Sequence, residues 1–180
     1  ADGLELLGGA AVSGGRLQLD GAAAFARTAP LAPALAEKTL SVEVRVPAEA
    51  TVGGGGVMSV QTLDGHDFDA IVWAEREERR WMAGSEFYSR TESFGAPAED
   101  SRDTPRLDIV WHAHGTAAAF PANQPLDRPD PAKGVRKFEP GAWQVVFGLR
   151  HGTQAEPGRM FRGEIERAAL YDRALWPKPE

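Results

Sequence analysis

The stretch "TLSVEVRVP" alternates cleanly. Leu40, Val42, Val44 and Val46 fall on one parity, and Thr39, Ser41, Glu43 and Arg45 on the other. A period of two predicts a strand with one buried face, stopped by Pro47, which has no N–H to give a ladder. "GRLQLDG" is a shorter copy, with Leu17 and Leu19 inward between glycine turns. "GVMSVQTL", "FDAIVWAE", "RLDIVWHA" and "WQVVFGLRH" carry apolar residues on both parities. Strands of that kind are covered on both faces, or have one face lining a cleft. Trp111 and Trp143 share a parity with Leu107, Ile109, Val145 and Phe147, which assigns both indoles to the core.

"AEREERRW" has helix-forming composition but no apolar stripe, and it lies between two strand patterns. It reads as a hairpin loop, with the charge run Glu75 to Arg80 in solvent. "TAPLAPALAEKT" is broken by Pro30 and Pro33 and holds at most one short turn. "GGGG" at 53–56 reads as a flexible loop, because no Gly-Lys-Ser/Thr follows to make it a phosphate cradle. "PANQPLDRPDPAKG", 121–134, reads as a long surface loop.

The end of the chain, "FRGEIERAALYDRALW", breaks the alternation. Phe161, Gly163 and Ile165 share one parity, whereas Ala168 and Leu170 fall on the other. A β-bulge near Glu166–Arg167 accounts for the slip, since one extra unpaired residue reverses which parity faces inward. Leu170 is then expected to be buried, with the Tyr171 ring packed. Asp172 opens a turn in which Ala174 and Leu175 fold back onto the sheet.

Composition supports β structure. Twenty glycines and thirteen prolines in 180 residues mark many turns, and short strands at this spacing read as an all-β sandwich or barrel. The length fits one domain, 1–180, long enough to bury a core. A net charge of −6 argues against a nucleic-acid groove or an anionic membrane surface as partner. The absence of cysteine excludes disulfides, thiolate metal sites and cysteine nucleophiles. No apolar run approaches the ~20 residues of a helical membrane span. The opening "ADGLELLGG" lacks a signal-type apolar core, as expected of an excised domain or a chain whose leader has been removed.

"FRGEIERAALYDRAL" resembles the closing motif of laminin-G-like jelly-roll domains of the concanavalin A-like lectin/glucanase superfamily. Phe161, Gly163, Ile165, Leu170, Tyr171, Arg173, Ala174 and Leu175 match it. "GGRLQLDGAAAF", "EKTLSVEVRV" and "DIVWHAHGTAAAFPANQPL" resemble earlier landmarks in the family's order. Asn123 stands where the family usually turns on Asn-Gly, and Pro121 requires its strand to be at an edge or broken. "FDAIVWAEREERRWMAGSEFYSRT" and "VFGLRH" resemble a subgroup from large bacterial exported proteins with cytochrome c-like haem domains. The resemblance implies a two-sheet antiparallel jelly-roll sandwich and an extracytoplasmic or secreted location.

The superfamily contains glycosidases, whose retaining members need two carboxylates about 5 Å apart. On this fold they come from one strand as Glu-x-Asp-x-(x)-Glu, and no such run occurs. Asp67 and Asp69 share a face, but the next acid on it is Glu75, too far along; Glu164 and Glu166 flank the bulge. Ser59, Ser85 and Ser89 lack a Gly-x-Ser-x-Gly setting. No catalytic residue is therefore expected. His112 and His114 have the spacing of two metal-binding imidazoles on one strand face, with His66, His151 or an acid brought in by the fold as a third ligand, but the plainer reading is two polar residues on an exposed strand end beside a turn. Several relatives bind calcium, and Asp64, Asp67 and Asp69 in "TLDGHDFDA" are its candidate ligands, although acid-glycine clusters are usually plain turns.

"FDAIVWAE" and "RRWMAGS" are expected to be adjacent antiparallel strands, which sets Asp69, Ile71 and Trp73 beside residues 81–85. In this fold the concave sheet carries the ligand groove. Asp69, Trp73, Trp81 and Ser85 are therefore candidate ligand-binding residues, with Arg90, Arg150 and His151 as further donors. Aromatic faces beside hydrogen-bonding groups suit a sugar. The competing assignment is a structural network in which Arg90 and Arg150 neutralise Asp69 or Glu99. The sequence thus points to a non-catalytic binding module, for carbohydrate, within a larger exported protein. The rival is a docking domain for another protein or for neighbouring domains of its own chain. Exposed Trp73 and Trp81 rings would favour the first, and buried rings the second.

Overall fold

The computed structural model describes residues 3–86, 89–94, 106–120, 124–126 and 135–175, with 89–90 and 124–126 as backbone. Among these residues every regular element is a strand. One seven-stranded sheet, sheet I, runs β1 (Leu4–Leu7), β4 (Phe25–Thr28), β13 (Trp143–Phe147), β6 (Gly55–Thr62), β7 (Phe68–Trp73), β8 (Trp81–Ser85) and β9 (Ser89–Arg90). Sheet II runs β12 (Gln124–Leu126), β11 (Ala117–Phe120), β10 (Leu107–Trp111), β5 (Lys38–Arg45), β14 (Arg162–Tyr171), β3 (Arg16–Asp20) and β2 (Ala11–Ser13). All pairings are antiparallel. This is a two-sheet jelly-roll sandwich.

The core lies between the sheets, where the alternation of β5 delivers Leu40, Val42 and Val44. Ile109 and Trp111 from β10, Trp143, Val145 and Phe147 from β13, and Leu17 and Leu19 from β3 join them. Both indoles assigned to the core by parity are there. The Trp143 Nε1–H donates to Pro33 O at 2.8 Å.

The slip in the closing strand is a bulge. β14 pairs Ile165 with Val44 and then Arg167 with Glu43, leaving Glu166 unpaired, after which Leu170 meets Leu40. Both parities thereby reach the same core. Leu170 is half-buried against it rather than fully buried, because the strand is nearing its end. The chain then folds back: the Thr39 hydroxyl donates to Arg173 O at 2.9 Å and accepts from Leu175 N–H at 3.0 Å, and Ala174 packs beside Val110, Ala118 and Phe120.

Three loop expectations change. Gly55 and Gly56 begin β6 rather than a flexible loop, and a second bulge follows between Gly56 and Met58. A Cβ on Gly56 would sit 2.2 Å from Arg150 Cα, and one on Gly55 would sit 2.3 Å from Met160 O. Close backbone approach, not flexibility, is what these glycines permit. Within 121–134, Gln124–Leu126 form edge strand β12; Pro121, Asn123 and the rest lie outside the described residues. Glu75 does not extend into solvent but forms an ion pair with Arg150, both side chains mostly buried.

Candidate functional site

β7 and β8 pair as anticipated, Asp69 opposite Ser85, Ile71 opposite Ala83 and Trp73 opposite Trp81. Asp69, Ile71, Trp73, Trp81 and Ala83 face the core and not a groove, and Ser85, at the strand end, also reaches the groove described below. Trp73 and Trp81 are 3% and 8% exposed. Their rings pack on one another at 4.5 Å, and Trp73 Nε1–H donates to Ala50 O at 2.7 Å. Neither ring is presented to a ligand. The opposite parity, Phe68, Ala70, Val72 and Met82, forms a separate apolar cluster on the outer face, with Gly84 beyond it. A one-residue difference in parity moves every side chain to the other face.

A strap, 148–161, crosses the outer face of β6 and makes a wall beside that cluster. It leaves β13 at Gly148, whose φ of 87° lies in the left-handed region. Arg150 N–H donates to Arg159 O at 2.8 Å and Phe161 N–H to Gly148 O at 2.8 Å, so the strap is hydrogen-bonded to itself. The outward polar residues of β6 hold it down. Ser59 Oγ donates to Arg150 O at 2.7 Å. Gln61 donates to Gly152 O at 2.9 Å and accepts from Gly152 N–H at 3.1 Å. Both side chains are buried, so these bonds satisfy groups that would otherwise be costly to enclose.

Between strap and strands lies a groove of about 780 Å³. Its floor carries Phe68 and Gly84, its strap wall Arg150 to Glu156 and Arg159, and its end Asp64 to His66. The His151 ring stacks on Phe68, centroids 4.2 Å apart and 8° from parallel. The charged groups are held in place. Arg150 donates to Gly54 O at 3.1 Å as well as pairing with Glu75. Glu156 pairs with Arg159 at 2.7 Å. Asp64 accepts from the Thr62 hydroxyl at 2.6 Å and from His66 N–H at 3.0 Å, and these bonds hold its carboxyl below the usual range.

Of the residues singled out from sequence, Ser85, Arg150, His151 and Asp64 line this groove. The Arg90 side chain lies outside the described residues, as does Glu99. The three aspartates proposed for calcium are not brought together. Asp64 caps its own turn, Asp67 pairs with Arg136 at 3.1 Å, and Asp69 is fully buried against Lys38, Nζ to Oδ2 2.9 Å. Among the described residues no group of three His, Cys, Asp or Glu side chains converges as a metal site. His112 closes β10 and is buried, with Nδ1 3.9 Å from Glu37 Oε1; His114 sits in the following turn, its ring 5.6 Å away.

Sequence reasoning missed Lys38, Glu86 and Arg136, which with Asp67 and Asp69 form a charged network that joins β5 to β7. Burial opposes the charge on Arg136, but its contacts with Glu86 and Asp67 prevail and hold the guanidinium more firmly protonated than usual. A signal existed. Lys38 falls on the parity of Leu40 and Val42, and Asp69 on that of Ile71 and Trp73, so opposite charges stand at core positions of two strands.

No protein-family model matches the sequence, and no curated protein does. Solved structures do match in shape. A native heptameric SAP-like pentraxin from Limulus polyphemus superposes with a TM-score of 0.65 at 15% identity, over 89% of this chain and 77% of the pentraxin. The exoplasmic/lumenal domain of VIP36, solved with Ca2+ and Man3GlcNAc, gives 0.55 at 12% identity, over 98% of this chain and 86% of that domain. Trypanosoma rangeli sialidase, in complex with sialic acid, gives 0.57 at 14% identity over 96% of this chain, which spans only 27% of the sialidase. At these identities the likeness establishes a shared architecture, the two-sheet jelly roll.

Proposed function

We propose that this chain is a non-catalytic carbohydrate-binding module of a larger exported protein, of the laminin-G-like type, and that the groove beside the strap is its ligand site. The observation that carries this reading is the groove's lining. An imidazole seated flat on Phe68 lies among fixed guanidinium, carboxylate and backbone groups. A sugar needs that combination, a ring face for its C–H groups and oriented donors and acceptors for its hydroxyls. The acids of the lining are engaged rather than poised for chemistry: Glu75 with Arg150, Glu86 with Arg136, Glu156 with Arg159, Asp64 with Thr62. That supports binding over hydrolysis. Glycan recognition by VIP36 on the same fold is consistent with it. The separated aspartates give no reason to require calcium.

The test is a glycan-array screen of the purified chain, with calcium and with chelator, repeated for His151→Ala and Arg159→Ala. Retention of one glycan class by the wild type, and its loss in both variants with a normal cooperative melt, is the expected result. A second reading, docking to a neighbouring domain, is favoured by the burial of Trp73 and Trp81. An array without any bound glycan would support it.

A further inference from the structure

We propose that Lys38 and Asp69 form an intramolecular isopeptide bond, a covalent staple between the two sheets. Lys38 opens β5 in sheet II and Asp69 lies in β7 of sheet I. Both side chains are 0% exposed, and Lys38 Nζ is 2.9 Å from Asp69 Oδ2. The contact is close without being an aligned hydrogen bond, since Oδ2 accepts none. Two backbone carbonyls take N–H groups of the lysine, Ala36 O at 2.8 Å and Arg136 O at 3.4 Å. Transfer of a proton from Nζ to Oδ2, 2.9 Å away, would give the amine the lone pair that attack on Cγ needs. Ser85 Oγ donates to the other carboxyl oxygen, Oδ1, where it polarises the C=O and stabilises the oxyanion that attack would form.

The surroundings favour condensation. Nζ lies over the Trp111 and Phe138 rings, 5.9 and 5.3 Å from their centroids. In water an ammonium and a carboxylate are stabilised by hydration, which is why amines and acids do not condense there. Burial removes that hydration, and a neutral amide with one N–H and one C=O is then the less costly occupant. The step balances without a cofactor. A proton passes from Nζ to Oδ2, giving amine and carboxylic acid. Nζ attacks Cγ, the Cγ–Oδ2 bond breaks, and Oδ2 leaves as water carrying two of the three original ammonium protons. The third remains as the amide N–H, placed to donate to Ala36 O, and Oδ1 becomes the amide oxygen, still held by Ser85. Arg136, whose carbonyl orients the amine, is itself anchored by Asp67 and Glu86.

Intact mass spectrometry of the folded, purified chain, denatured only for the measurement, tests this. The staple predicts a mass about 18 Da below that of the sequence, the loss of one water. After digestion a branched peptide should join the Lys38 and Asp69 segments, and Ser85→Ala should carry a smaller cross-linked fraction. Asp2-Gly3, Asp20-Gly21 and Asp64-Gly65 can also lose water by succinimide formation, so the branched peptide and the Lys38→Met variant discriminate. Full sequence mass in the wild type overturns the proposal. So does a water loss that persists in Lys38→Met or maps to an Asp-Gly site. If Lys38→Met does not fold, the branched peptide of the wild type decides alone.

Discussion

Replacing Gly56 with alanine should unseat the strap that walls the groove. The new Cβ would lie 2.2 Å from Arg150 Cα, 2.6 Å from Arg150 N and 2.8 Å from Leu149 O. Carbon atoms in contact normally stand about 3.5–4 Å apart, so strap and strand must separate by more than an ångström. The obstructing atoms are backbone and cannot rotate aside. Separation stretches the bonds that fix the strap: Gly56 N–H to Arg159 O, Ser59 to Arg150 O, and the Gln61–Gly152 pair. At about 1 kcal/mol for each of the four lost bonds the cost is about 4 kcal/mol. Reduced entropy of the unfolded chain offsets about 0.4–1 kcal/mol of it. The net, about 3–4 kcal/mol, corresponds to a drop in Tm of about 6–16 °C for a chain of this size. Thermal melts should be paired with hydrogen exchange, where protection of the 150–161 amides should fall first. Gly53→Ala is the control, because its Cβ would meet nothing closer than Gly55 N at 3.9 Å. A Gly56→Ala protein melting within about 1 °C of wild type, its strap amides still protected, would refute the argument that close approach fixes these glycines.

Other perturbations have defined outcomes. Leu40→Ala, at a fully buried site, should cost about 2–5 kcal/mol, and Leu170→Ala, half-buried, about 1–2 kcal/mol, both read from urea unfolding. Arg136→Met leaves Asp67 and Glu86 without their shared cation and should cost about 1–3 kcal/mol, measured the same way. Asp20 accepts N–H bonds from Ala24, Ala22 and Ala23, which lower its pKa. A carboxyl depressed on folding adds stability above its unfolded value that is lost as pH falls through the folded one. Melts from neutral pH to about pH 2 should therefore show a shallower acid decline in Asp20→Asn.

The sandwich was legible because its strongest strands alternate and its closing strand slips by one residue. β5 and the bulge at Glu166 follow directly from those patterns. The groove was legible only in part. His151 and Arg150 were picked out for their chemistry, but the strap that presents them has no periodicity and is shaped by Ser59 and Gln61 bonding to its backbone. β7 is buried on both faces, so its pattern could not say which parity faced the core. An indole that directly follows a run of charged residues, as Trp81 does, packs in the core here. The charges at core parities, Lys38 and Asp69, were visible but meant nothing until the opposite sheet was placed against them.

Mapping of backbone amide NMR shifts during titration with the tightest oligosaccharide from the array tests the groove assignment most directly. The account predicts that perturbed amides cluster in 64–66, 84–86 and 150–156, on the groove and its strap. Shifts confined to another surface, such as the exposed strand Ala11–Ser13 and its neighbours, or no specific shifts with any oligosaccharide, would contradict it.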